Sequence, residues 1–145
     1  MIVWSARGVL ESDWPAAAAT IRVELAGTDP FVVWLDGGMG AGKTAAVRAL
    51  LRAFGLPVEI PVTSPTYTLM NEYEIGSEWF AHLDLYRAAP GFSLRETGVL
   101  DARVFRGVFI EWADAPDAGE RLDPTHRLHL EISGDGERDV ALTRL

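Results

Sequence analysis

Three patterns predict an α/β domain with a mixed β-sheet flanked by helices. A continuous apolar run, Phe31–Leu35, leads through a glycine-rich turn into apolar residues at helical spacing. A second apolar run, Val108–Ile110, ends on a carboxylate, Glu111. Two further pairs of strand-like segments are joined by glycine-containing turns, which adds antiparallel strands to a strand–helix pattern.

Taken in order, Ile2–Trp4 reads as a short edge strand. Ser12 and Asp13 offer helix N-caps, and Pro15 falls in the first turn, where a missing N–H costs nothing. That helix runs over the alanines to Ala26 and stops at Gly27-Thr28-Asp29-Pro30. Phe31–Leu35 has the composition of a strand covered on both faces. After the glycine-rich residues 37–44, Val47, Leu50, Leu51 and Phe54 recur at i, i+3, i+4 and i+7, one face of a helix, and Gly55 ends it. Thr68–Ile75 and Trp79–Leu85 flank Gly76-Ser77-Glu78 as a hairpin. Ser93–Phe105 is loosely helical and interrupted by Gly98. Val108–Ile110 is a short buried strand. His126–Ile132 and Asp139–Thr143 form a second hairpin around Gly134-Asp-Gly136.

The chain has 145 residues, 48% of them apolar and 23% charged, the composition of one globular domain spanning 1–145. It has no cysteine, which excludes a disulfide scaffold, a thiol nucleophile and a cysteine zinc site, and which fits a reducing cytosol. No apolar run approaches the ~18 residues of a membrane span, and the first residues lack the basic and apolar regions of a secretory signal. A cytoplasmic protein that does not engage membranes is expected. The net charge is −8, so autonomous binding to a phosphate backbone is disfavoured. Twelve of the 13 basic residues are arginine, and the only lysine is Lys43.

That lysine stands in Gly37-Gly38-Met39-Gly40-Ala41-Gly42-Lys43-Thr44, a match to G-x-x-x-x-G-K-[ST]. Glycines let backbone N–H groups turn inward around phosphate oxygens, and the following helix offers its positive dipole end. Lys43 supplies a compact ammonium where arginine's planar fork is too wide. Thr44 gives a hydroxyl to Mg²⁺. The motif follows a buried-type strand and opens an amphipathic helix, its confirming context. Guanine recognition commonly uses Asn-Lys-x-Asp, which the single lysine precludes here, so ATP is expected.

A Mg–nucleotide site needs a further carboxylate at a neighbouring strand end. Glu111 follows a buried-looking strand; the competing reading is a solvated strand end. Asp84 shares one face with Phe80 and His82 by alternation; the competing reading is a polar strand face. Asp36 reads as an acceptor that steadies the loop. Ser64-Pro-Thr-Tyr-Thr68 reads equally as a phosphate-sensing switch or an ordinary connection. His82, His126 and His129 read as solvated strand residues rather than a metal site, because His126 and His129 point to opposite faces. Trp4, Trp14, Trp34 and Trp79 read as packing. Arg103 and Arg106 read as a solvated helix face or as arginine fingers, and the acidic stretch from Glu111 to Asp123 as an exposed loop or a docking surface.

The strings GGMGAGKT at 37–44, SPTYTLMNEY at 64–73, HLDLYR at 82–87 and FIEW at 109–112 together resemble the TsaE (YjeE) family, small ATPases of tRNA threonylcarbamoyladenosine biosynthesis. The resemblance implies a P-loop NTPase fold, bound Mg-ATP, slow hydrolysis, and action with a TsaD-like transferase and a TsaB-like scaffold, so that tRNA is met only indirectly. It implies that Gly37, Gly38, Gly40, Ala41, Gly42, Lys43, Thr44 and Ala45 hold phosphates and that Thr44 and Glu111 hold Mg²⁺. It also implies that Lys43, Asp84 and Glu111 serve hydrolysis, that Trp112 adjoins the metal, and that Thr66 belongs to the switch. Leu10 is the candidate beside the adenine. Arg138, offset by one from the family's Gly-Arg pair, is the candidate arginine at the nucleotide. The expected function is therefore a tRNA-modification ATPase; the alternatives are a small-molecule P-loop kinase or a nucleotide-sensing docking module with little turnover.

Overall fold

The computed structural model describes residues 1–65, 67–88, 92–99, 104–114 and 122–145. Seven strands form one sheet: β1 (Ile2–Val9), β2 (Phe31–Asp36), β3 (Met70–Ile75), β4 (Glu78–Asp84), β5 (Gly107–Glu111), β6 (His126–Gly134) and β7 (Glu137–Arg144). Their order is β1-β7-β6-β2-β5-β4-β3. The middle four, β6-β2-β5-β4, run parallel, and β1, β7 and β3 add antiparallel flanks. The expected mixed sheet is present, and its phosphate-type loop between β2 and α2 (Lys43–Phe54) is that of a P-loop NTPase fold.

Phe31–Leu35 are all buried because β2 lies between two parallel neighbours. Alternate residues then serve two cores. Phe31, Val33 and Leu35 join Phe80 and Phe109 beneath α1 (Trp14–Ala26) and α2. Helix α1 buries Trp14, Ala18, Ile21 and Leu25, one stripe at helical spacing, and Pro15 stands in its first turn as expected. Helix α2 buries Ala46, Val47, Leu50 and Leu51, and Gly55 closes it in the left-handed conformation at φ 114°. On the other face, Val32, Trp34, Val108 and Ile110 pack against Leu85, Phe92, Leu94, Val99 and Phe105.

Several expectations change. The first strand extends to Val9, not Trp4, because β7 supplies a pairing partner along its length that local composition cannot reveal. Within 93–105, the described helix is one 3₁₀ turn, Leu94–Thr97, ended by Gly98 at φ 79°. So α-helices cover one face of the sheet, and the described residues packed on the other form no α-helix. Arg106 lies on no helix: its guanidinium donates to the Ala26 and Thr28 carbonyls at 2.9 and 2.8 Å. It sits at the start of β5, the end of the strand away from the phosphate loop, where it cannot act as an arginine finger. Arg103 lies outside the described residues, as does most of the acidic stretch before Asp123. Among the described residues, no helix is long and apolar enough to cross a membrane.

Candidate functional site

The parallel strands β2, β5 and β4 all point their C-terminal ends to one edge, the usual site position in such sheets. That edge carries the loop from β2, Glu111 from β5 and Asp84 from β4, with Asp84 and Glu111 directly paired in register. Gly37 admits no side chain, since a Cβ there would lie 2.8 Å from the Leu130 carbonyl oxygen. Gly42, at φ 97°, makes the left-handed turn that starts α2.

Lys43 is 7% exposed. Its Nζ donates to the Gly37 and Gly38 carbonyls at 2.6 and 3.2 Å and lies 3.8 Å from the centre of the Trp112 ring. Burial pulls the ammonium down from its ordinary 10.5, while the carboxylates of Glu111, Asp84 and Asp36 push back up. Trp112 holds that ring in place from a left-handed backbone, φ 57°, rare for a bulky residue, and Tyr86 packs on it at 4.9 Å. The cavity enclosed by residues 38–45, Asp84, Tyr86, Glu111 and Trp112 measures about 320 Å³.

Glu111 is not a solvated strand end; it is 3% exposed. Its two oxygens lie 3.1 and 2.9 Å from the Thr44 hydroxyl, and one of them lies 2.5 Å from His82 Nε2. Asp84 accepts from Ser64 Oγ at 2.6 Å and from the Tyr86 N–H at 3.0 Å. The Ser64 contact ties the polar connection to the site edge. Thr66, two residues on, lies outside the described residues.

Three sequence assignments need correction. His82 is fully buried, because β4 is an internal strand, and it belongs to the Glu111 cluster. His126 is likewise fully buried, between β2 and β7, and only His129 is exposed; their opposite faces are as expected. Asp36 does not steady the loop: its carboxylate pairs with Arg127 Nη1 at 3.3 Å on the neighbouring strand. His82 is the site residue that sequence reading passed over. Its signal was already there, since it shares a strand face with Asp84.

Arg138 reaches the loop from behind, donating from Nε to the Ala41 carbonyl at 2.9 Å and from Nη2 to that of Gly40 at 3.1 Å. Leu10, 42% exposed, follows Val9, whose register partner on β7 is Arg138, so both occupy one corner of the sheet outside the phosphate cavity. Among the described residues no cluster of three or more His, Asp or Glu could hold a metal on its own. The Thr44 hydroxyl beside the Glu111 carboxylate is a hard-oxygen pair, which suits Mg²⁺ completed by phosphate and water.

The profile of the family described as Threonylcarbamoyl adenosine biosynthesis protein TsaE matches residues 11–141. This chain belongs to the TsaE family. The tRNA threonylcarbamoyladenosine biosynthesis protein TsaE of Aquifex aeolicus is 33% identical over 135 residues, covering 92% of this chain and 91% of its own. The protein of the same name from Treponema pallidum is 35% identical over 112 residues, 77% of this chain and 80% of its own. The crystal structure of Bacillus subtilis YdiB matches 99% of this chain and 87% of its own, with a TM-score of 0.64 at 26% identity. Membership in TsaE agrees with the resemblance carried by the four strings.

Proposed function

We propose that this protein binds and hydrolyses Mg-ATP as the ATPase component of tRNA threonylcarbamoyladenosine biosynthesis. The observation that carries this reading is the convergence of Lys43, the Thr44–Glu111 pair and Asp84 around one cavity of about 320 Å³ at the strand ends. Family membership supports the pathway, and the lining of the cavity supports the chemistry.

The loop N–H groups and Lys43 are suited to hold the β- and γ-phosphates, with Gly37–Ala45 forming the wall. Thr44 and Glu111 would hold the magnesium ion, which when bound draws charge from the phosphate oxygens. Asp84, held by Ser64 and the Tyr86 N–H, is left to orient the attacking water. Because Ser64 grips Asp84, a nucleotide that engages the Ser64 connection would act on the base, and product release would free it again. Arg138 would shape the loop, and Leu10 beside it would flank the adenine. The acidic surface leaves tRNA to a TsaD-like transferase and a TsaB-like scaffold, with nucleotide state governing the association. The cytoplasm is the fitting compartment.

Calorimetry with Mg-ATP and Mg-GTP tests the first step: Mg-ATP is expected to bind and Mg-GTP to bind more weakly. Thr44→Ala is expected to bind ATP with its Mg²⁺ dependence largely lost. In a modification reaction reconstituted with TsaD-like and TsaB-like partners, Lys43→Ala is expected to stop product formation. Full product yield with that variant would refute the proposal.

A further inference from the structure

Glu111 is buried, and a buried carboxylate is costly unless its oxygens are paired. The Thr44 hydroxyl lies within reach of both oxygens but carries a single proton, so it satisfies one of them. The other partner is His82 Nε2, 2.5 Å from Oε2, on an imidazole with no exposed surface. The pleat explains the reach. His82 is level with Phe109, and Asp84 is level with Glu111, all on the face beneath α2. The imidazole therefore sits one layer below the cavity, between the phenyl rings of Phe80 and Phe109 and the carboxylate above. Among the described residues its Nδ1 has no hydrogen-bond partner, so the bond through Nε2 is what fixes the ring.

We propose that His82 is a positioning residue: its Nε2–H fixes Glu111 so that the carboxylate accepts the hydrogen bond of the Thr44 hydroxyl and leaves the threonine lone pairs facing the cavity for a divalent cation. The inference rests on the Mg-nucleotide reading above. An apolar side chain would fill the same volume, and packing would be kept. But Glu111 would then be free to turn toward Thr44 with both oxygens, or out to water. Outer-shell partners of this kind commonly change metal affinity by about 10–100-fold when removed.

The test compares two amides. In H82Q the amide N–H2 reaches about as far as imidazole Nε2; in H82N it is one methylene short. The quantity read is the ratio of ATP affinity with Mg²⁺ to that in EDTA, by calorimetry, with thermal melting to establish that each variant is folded. H82Q is expected within about threefold of the parent ratio and H82N about 10–100-fold below it. A core-filling role moves the melting temperature of both and leaves the ratio alone, so equal ratios overturn the assignment. If H82N does not fold, nitrogen-15 histidine spectra of the unsubstituted protein decide. A protonated Nε2 on His82 supports the proposal, and a bare Nε2 overturns it. A parent protein that does not bind Mg-ATP at all removes the nucleotide reading itself. A parent that binds with Mg²⁺ dependence while both amides match removes only the role of His82.

Discussion

The two ends of one sheet face are built on opposite principles. At the start of β5, Gly107 lies under the Phe31 ring, so close that a Cβ would fall 2.1 Å from a ring carbon, and Phe31 in turn packs on Phe54 and Phe109. Here position is set by volume. At the other end of the same strand, Glu111 is set by named partners, Thr44 and His82, around an open cavity. The five residues of β5 thus pass from a place where nothing can be added to a place where a ligand must enter. A ring cluster can hold a backbone rigid without polar partners, and that rigidity lets a buried carboxylate be placed accurately four residues on.

This contrast is breakable in a defined order. Lys43→Ala should have the largest effect and act on binding alone. Losing a buried, hydrogen-bonded cation at a phosphate typically costs on the order of 2–5 kcal/mol of affinity. The melting temperature should hold or rise, since a desolvated charge is removed; a large fall in melting temperature would show that the site end also carries the fold. Gly107→Ala is the mirror experiment. Overpacking costs about 1–3 kcal/mol, which for a domain this size is roughly 2–4 °C of melting temperature per kcal/mol. Its Mg-ATP affinity should stay close to that of the parent, and loss of binding at an unchanged melting temperature would break the comparison.

Arg138→Ala sharpens it from the loop side. Two charge-assisted bonds to the loop carbonyls disappear, but the group is partly solvated, so about 1 kcal/mol of nucleotide affinity is expected to go. The smallest effect lies at neither end. Burial holds His126 below its ordinary 6.5, helped by the Arg144 charge and opposed by Glu24. The unfolded chain therefore takes up a proton that the folded chain refuses. Stability should decline as pH falls from about 6.5 toward the lower folded value. Denaturant titrations should show that slope, and His126→Gln should flatten it.

How legible each end was follows from the same physics. The loop, α2, β2 and the C-terminal hairpin were readable because turn chemistry and periodicity are local. Lys43, Thr44 and Glu111 were readable because a motif fixes the first two and a strand end fixes the third. The full length of β1 was not readable, since its last residues are strand only through pairing with β7, more than a hundred positions away. His82 and His126 looked like solvated polar residues because nothing local shows that their strands are internal. Arg106 looked helical because it follows the loose helical spacing of 93–105, whereas its role is to cap carbonyls contributed by the end of α1 and the turn after it.

The strand order has a consequence for biogenesis. Strand β7, made more than a hundred residues after β1, is threaded between β1 and β6. It also carries the guanidinium that braces Gly40 and Ala41 from behind. Until translation passes residue 138, β1 lacks its partner strand and the Gly40 and Ala41 carbonyls lack their brace. A product terminated before that residue would lack both the brace on its loop and the partner of β1.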